Sequence, residues 1–177
     1  MSPARTVFAA LALAFVACSD VPVAPDTDLQ PQFSRAGGVV HHVSLGGADI
    51  CGALGLPTGC DANFSLTANE QADGSVKGQW QDTFAGGGEG IHVAIDCLSV
   101  VGNGAVVGGV ITHGTNSGVD VSGQRALTAV VDNGTSANDP ADQLSFSFFP
   151  TGAASCNSFI PGNFPLFNLA HGQVKVR

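Results

Sequence analysis

The chain has 177 residues, with six Lys and Arg against fourteen Asp and Glu and a net charge of −8. This acidic balance argues against nucleic-acid binding, which needs a basic surface to neutralise phosphates. Only 11 % of residues are charged, while glycine (24) and phenylalanine (11) are frequent and tyrosine is absent; short apolar runs separated by Gly, Asn and Asp point to an all-β fold, in one domain once a leader is set aside.

The first 17 residues read as a signal peptide. Arg5 gives a weakly positive start and Val7–Ala17 a short apolar core. The run Phe15-Val16-Ala17-Cys18 resembles a bacterial lipobox, with Phe15 where the pattern usually has Leu. The resemblance implies cleavage before Cys18 and lipidation of its thiol, hence a partner in the lipid membrane. The competing reading is ordinary secretion with cleavage after Ala12-Leu13-Ala14. An odd count of five cysteines favours the first. Lipidating Cys18 leaves Cys51, Cys60, Cys97 and Cys156 for two disulfides, which an exported location would oxidise. Three connectivities are open; the turn-prone Gly52, Gly55, Pro57 and Gly59 favour Cys51–Cys60 with Cys97–Cys156.

Residues 18–37 hold Pro22, Pro25, Pro31 and three aspartates and read as a disordered spacer, leaving 38–177 as a single β domain. If the residue after the lipidated cysteine sorts the protein as in lipoproteins of other bacteria, Ser19 permits outer-membrane or surface delivery. The other destinations are secretion and the periplasm. No segment after the leader has the apolar length of a membrane span.

In chain order the alternation predicts strands near 39–45, 62–70, 75–84, 91–101, 105–113, 125–132, 143–149 and 172–177. Eight strands suit an antiparallel sandwich or an up-and-down barrel. Phe64, Leu66 and Ala68 form one apolar face, and Trp80 fills the core with them. The glycine-rich Ala85–Gly90 is followed by a strand and no lysine, so it is a turn rather than a phosphate loop.

Ile91–His113 is the central hairpin. Asn103-Gly104 between valine runs predicts a type I′ turn. That register pairs Val101 with Val106 and Cys97 with Val110. It groups Ile91, Val93, Ile95, Cys97, Val106 and Val110 on one face, and His92, Asp96, Leu98, Val107, Ile111 and His113 on the other. Both faces are apolar enough to be covered. Gly108-Gly109 predicts a bulge or a close backbone approach.

The run HVAIDCLSVVGNGAVVGGVIT, then VVDNG, DPADQLSF, a cysteine and a closing GQVKV, resembles an uncharacterised domain of exported bacterial β-rich lipoproteins over residues 62–177. The resemblance implies an architecture and a compartment, with no activity attached. The Phe64–Trp80 hairpin, with its Ala72-Asp73-Gly74 turn, is similar to one hairpin of avidin, and no ligand residue carries across.

Two constellations could carry chemistry. His92, Asp96 and His113 share one hairpin face, and two imidazoles with a carboxylate suit zinc or iron. Asp132, Asp139 and Asp142 crowd one loop with amides and could offer calcium several oxygens, although the D-x-[DN]-x-[DN]-G spacing is missing. His41-His42 lie on opposite strand faces and cannot share a ligand. No G-x-S-x-G, H-E-x-x-H or phosphate loop is present. The expected function is a non-catalytic, lipid-anchored extracytoplasmic β-domain, a binding or structural module of the bacterial envelope with an unidentified protein or small ligand as partner. It needs no cofactor. The alternatives are a metal-dependent enzyme using His92, Asp96 and His113, and an avidin- or lipocalin-like barrel holding a small ligand.

Overall fold

A computed structural model describes residues 38–47, 55, 63–84, 88–136 and 138–177. The strands are β1 (Val39–Gly46), β2 (Asn63–Gln71), β3 (Val76–Thr83), β4 (Gly90–Val101), β5 (Gly104–Asn116), β6 (Val119–Asp120), β7 (Arg125–Val131), β8 (Gln143–Ser145), β9 (Leu166–Asn168) and β10 (Gln173–Val176). They form one ten-stranded sheet, ordered β10-β1-β2-β3-β4-β5-β7-β8-β9, with β6 on the end of β5. Each strand pair in it is antiparallel. The sheet curls into a half-barrel rather than splitting into a sandwich.

The curl follows from the alternation. Val43, Leu45, Phe64, Leu66, Trp80, Ile91, Val93, Ile111, Val130, Leu144 and Val174 are all at most 5 % exposed and belong to one cluster, though their strands lie far apart in the sheet order. One face has therefore turned on itself and is filled by side chains. Phe64 and Trp80 stack within it at 5.5 Å between ring centroids. The Trp80 indole N–H is buried without a hydrogen-bond partner among the described residues.

The central hairpin forms, in a different register from the expected one. The turn is Gly102-Asn103, with Val101 opposite Gly104 and Cys97 opposite Gly108. Gly102 takes φ 61°, and Asn103 is not among the residues with positive φ. That is the II′ pattern, which places glycine first; the expected Asn-Gly turn would have needed positive φ at both positions. The bulge is present: pairing skips from Ile95–Gly109 to Cys97–Gly108 and leaves Asp96 unmatched. The extra residue exchanges the faces beyond it. Leu98, Val107 and Ile111 turn inward, while Cys97, Val106 and Val110 turn outward with His92 and His113, which corrects the predicted face assignment.

Val106, Leu127, Ala129 and Cys156 are fully buried in a second, smaller cluster on the outer face. It is covered by the segment from Ala154 to Leu166, which contains two single 3₁₀ turns, Cys156–Ser158 and Pro161–Asn163. The Cys97–Cys156 disulfide pins this segment to β4. A β-carbon on Gly108 would stand 3.0 and 3.1 Å from the two sulfurs, so glycine lets the bridge cross β5. Cys18, Cys51 and Cys60 lie outside the described residues.

The penultimate predicted strand is shorter than expected. β8 ends at Ser145 because the Ser145 hydroxyl, not the backbone, accepts from the Ala129 N–H at 2.8 Å. The chain then rejoins β7 only at a single Leu127–Phe148 bridge. Phe146 and Phe148, expected to alternate on a strand face, are 39 % and 47 % exposed instead.

The two outermost strands are consecutive in the chain, and the seam beside β10 is spanned by side chains. Asp142 accepts from Asn133 N and Val174 N, both at 2.7 Å, and Asp132 accepts from Val176 N at 3.1 Å. Replacing Asp142 with alanine strands two amide donors, and each buried donor left unpaired costs about 1–3 kcal/mol. Urea unfolding followed by Trp80 fluorescence should show a loss of about 2–4 kcal/mol. A loss below about 0.5 kcal/mol would mean that the seam does not depend on this carboxylate. Separately, the Cys97–Cys156 bridge closes a sequence separation of 59 residues. Substituting both cysteines with alanine should cost about 4 kcal/mol in the chain-entropy model, measured in the same unfolding experiment.

Candidate functional site

His92 in β4 and His113 in β5 are direct cross-strand partners. They lie beside a second irregularity: Thr112 is the unmatched residue between the His92–His113 and Val93–Ile111 pairs. The imidazoles stack with centroids 4.0 Å apart and planes 20° from parallel. The Thr112 hydroxyl donates to the His92 carbonyl at 3.1 Å and sits 3.3 Å from His113 Nδ1. Partial burial, and then the neighbouring His113 ring, hold the His92 imidazole below its ordinary range.

Asp96 is not directed at this pair. As the bulged residue it is turned to Arg125 of β7, whose Nη1 and Nη2 donate to its two carboxylate oxygens at 2.9 and 2.7 Å. Arg125 Nε also donates to the Ala154 carbonyl at 3.1 Å. The ion pair thus anchors the outer segment next to the disulfide. Among the described residues, no group of three or more His, Cys, Asp or Glu is placed to hold a metal ion. The structure therefore brings together two members of the predicted triad and gives the third to a guanidinium.

The aspartates of the 132–142 loop are likewise engaged by backbone. Asp132 accepts from Gly134 N at 3.1 Å as well as from β10, and Asp139 accepts from Ser136 N at 2.8 Å. Asp142 is 7 % exposed and bonded through both oxygens to amides. Asn103 of the central turn donates to the Asp132 carbonyl at 2.8 Å and ties the loop to β4 and β5. The carboxylates point at separate N–H groups, which is the arrangement of a clasp rather than of a cation cage. His41 and His42 each have their own partner on β2, Glu70 at 2.7 Å and Asn69 at 2.8 Å.

Three features went unread in the sequence. Arg125 is the single cation between Lys77 and Lys175, and a lone cation near several carboxylates is a signal for an ion pair. Asp82 follows Val76, Gly78 and Trp80 at period two, which places a carboxyl on the inward face of β3. The hydroxyl of Ser147, just beyond β8, hydrogen-bonds to it. Finally, Phe146, Phe148, Phe159 and Phe164 border an open groove of about 230 Å³ on the outer face. Phe159 and Phe164 pack at 5.7 Å between centroids, and Phe146 meets Phe167 at 4.5 Å. Nothing in a period-two reading marks these rings as outward.

No protein-family model, no curated protein and no solved structure matches the chain.

Burial pushes the Asp82 carboxyl up to about 6, and the Ser147 hydrogen bond offsets only part of that. A carboxyl that binds its proton more tightly when folded stabilises the fold at low pH. That contribution falls as pH rises from the ordinary 3.8 through about 6. The displacement from 3.8 to about 6 is equivalent to about 3 kcal/mol at most. Asp82→Asn keeps the shape and cannot ionise. It should unfold at higher urea than the wild type at about pH 7.5, and the difference should vanish near about pH 4. A difference that does not change with pH would contradict the assignment.

Proposed function

We propose that the chain is a non-catalytic, lipid-anchored extracytoplasmic β-domain that acts as a binding or structural module of the bacterial envelope. The observation that carries this reading is the filled inner face: among the described residues, Trp80, Phe64, Leu66, Ile91, Ile111 and Leu144 pack together inside the half-barrel. Thr128, Ser145 and Asp142, three buried polar side chains, are spent on bonds that hold strands together, and the buried Asp82 carboxyl is paired with the Ser147 hydroxyl. A catalytic site would instead converge such groups on an accessible point. Contacts with other molecules then belong to the outer face. The disulfide fits an oxidising compartment, and the lipobox-like run before Cys18 supplies the anchor.

Growth of the producing bacterium with an alkyne-tagged fatty acid tests the anchor. The wild-type chain should take up the label and partition with membranes, and Cys18→Ala should be unlabelled and released in soluble form. An unlabelled wild-type protein would return the chain to the secreted or periplasmic alternative.

A further inference from the structure

We propose that His92 and His113 form a two-imidazole chelate for a divalent late transition-metal ion, with Cu(II) held most tightly and Zn(II) on the same pair. This goes beyond the module reading and does not depend on the lipid anchor. Four polar residues stand in one row across the outer face: Ser65 pairs with Gln81, Gln81 with His92, and His92 with His113. They line an open trough of about 400 Å³ together with Gln79 and Thr112.

Two imidazoles are the side chains that copper, zinc and nickel prefer. Metal–nitrogen bonds of about 2.0–2.1 Å require the two ligand nitrogens to lie about 3 Å apart. The rings stack with centroids 4.0 Å apart and planes 20° from parallel, so the two imidazoles are close enough to share one ion once they tilt out of the stack until both ring planes meet at it. Among the described residues the His92 ring has no hydrogen-bond partner, and the hydrogen-bond partner of the His113 ring is the Thr112 hydroxyl. Gln81, the cross-strand partner of His92, lines the same trough, and water would fill the remaining positions. Asp96 is not a ligand, because Arg125 holds both of its oxygens.

The test uses the full chain, oxidised and purified in detergent, titrated with copper(II) chloride and followed by electron paramagnetic resonance. The expected result is a single type of Cu(II) site with nitrogen hyperfine structure from two imidazoles. His92→Gln and His113→Gln should each weaken binding by about tenfold or more, and the double variant should abolish it. Asp96→Asn should bind as the wild type does. A paired His41→Gln, His42→Gln variant, which removes the other adjacent histidines, should also bind normally. Unfolding curves for each variant confirm that the fold is kept, since both rings lie on the outer face. Unchanged copper affinity in the double variant would overturn the proposal, and so would loss of the signal in the His41, His42 variant. Weakened binding in Asp96→Asn would overturn the two-ligand assignment in favour of a three-ligand one. Zinc(II) chloride should displace the copper signal only at higher concentration; failure to compete would restrict the site to copper.

Discussion

Two carboxylates stand where a backbone ladder is missing. On one side β10 pairs with β1 in the ordinary way, and its other edge would otherwise expose amide donors. An open edge is a template for pairing with another chain, and its buried donors are costly if left unpaired. Asp142 and Asp132 take the Val174 and Val176 amides and fix this edge to the loop that leaves β7. Backbone continues the same linkage where Leu169 N donates to the Asp142 carbonyl at 2.8 Å. Because β9 and β10 are joined by only a few residues, the clasp also sets how far the sheet curls. The filled interior depends on that curl: residues from β1, β5, β7 and β10 meet only if the two ends of the sheet approach.

An acidic loop read from sequence offers oxygen atoms but not their directions. Asp132, Asn133, Asn138, Asp139 and Asp142 suggest a cation site because so many carboxylates and amides in one short loop resemble a coordination shell. The fold instead gives the aspartate oxygens one by one to backbone N–H groups of the loop itself and of a strand more than thirty residues later in the chain. Nothing local in the sequence reveals that β10 arrives there. The alternating strands, by contrast, are legible, since Phe64-Leu66-Ala68 and Val76-Gly78-Trp80 keep strict period two with one buried face. Gly108-Gly109 marks both the bulge and the close approach of the disulfide.

The central hairpin shows where period-two reading fails. A turn displaced by one residue changes the register by two, and this alone would have left every face unchanged. Asp96 changes them, because an unmatched residue advances the alternation by one. Cys97 therefore points outward to Cys156, and Leu98 points into the core. Ser145 does the same at the end of β8: a hydroxyl replaces a ladder acceptor, Phe146 and Phe148 go out, and Ser147 reaches in to Asp82. In both cases a polar side chain marks the change of phase, Asp96 paired with the Arg125 guanidinium and Ser145 standing in for a backbone acceptor, and the hydrophobic pattern carries no trace of either.

The same two irregularities in the hairpin separate the three residues that the sequence groups together. Thr112 interrupts β5 next to His113 and keeps the imidazoles directly opposite one another, while Asp96 interrupts β4 on the far side of Val93 and Ile95. Without the bulge at Asp96 the carboxyl would follow the strict alternation of His92 and Ala94 and would stand two pairs from the imidazoles. With it, the carboxyl leans across β5 to Arg125, where it shares the support of the outer segment with Cys97. The hairpin thus divides its polar residues by task. One end locks the covering segment in place, and the other leaves two imidazoles side by side on an open surface, where Asp96 does not compete for them.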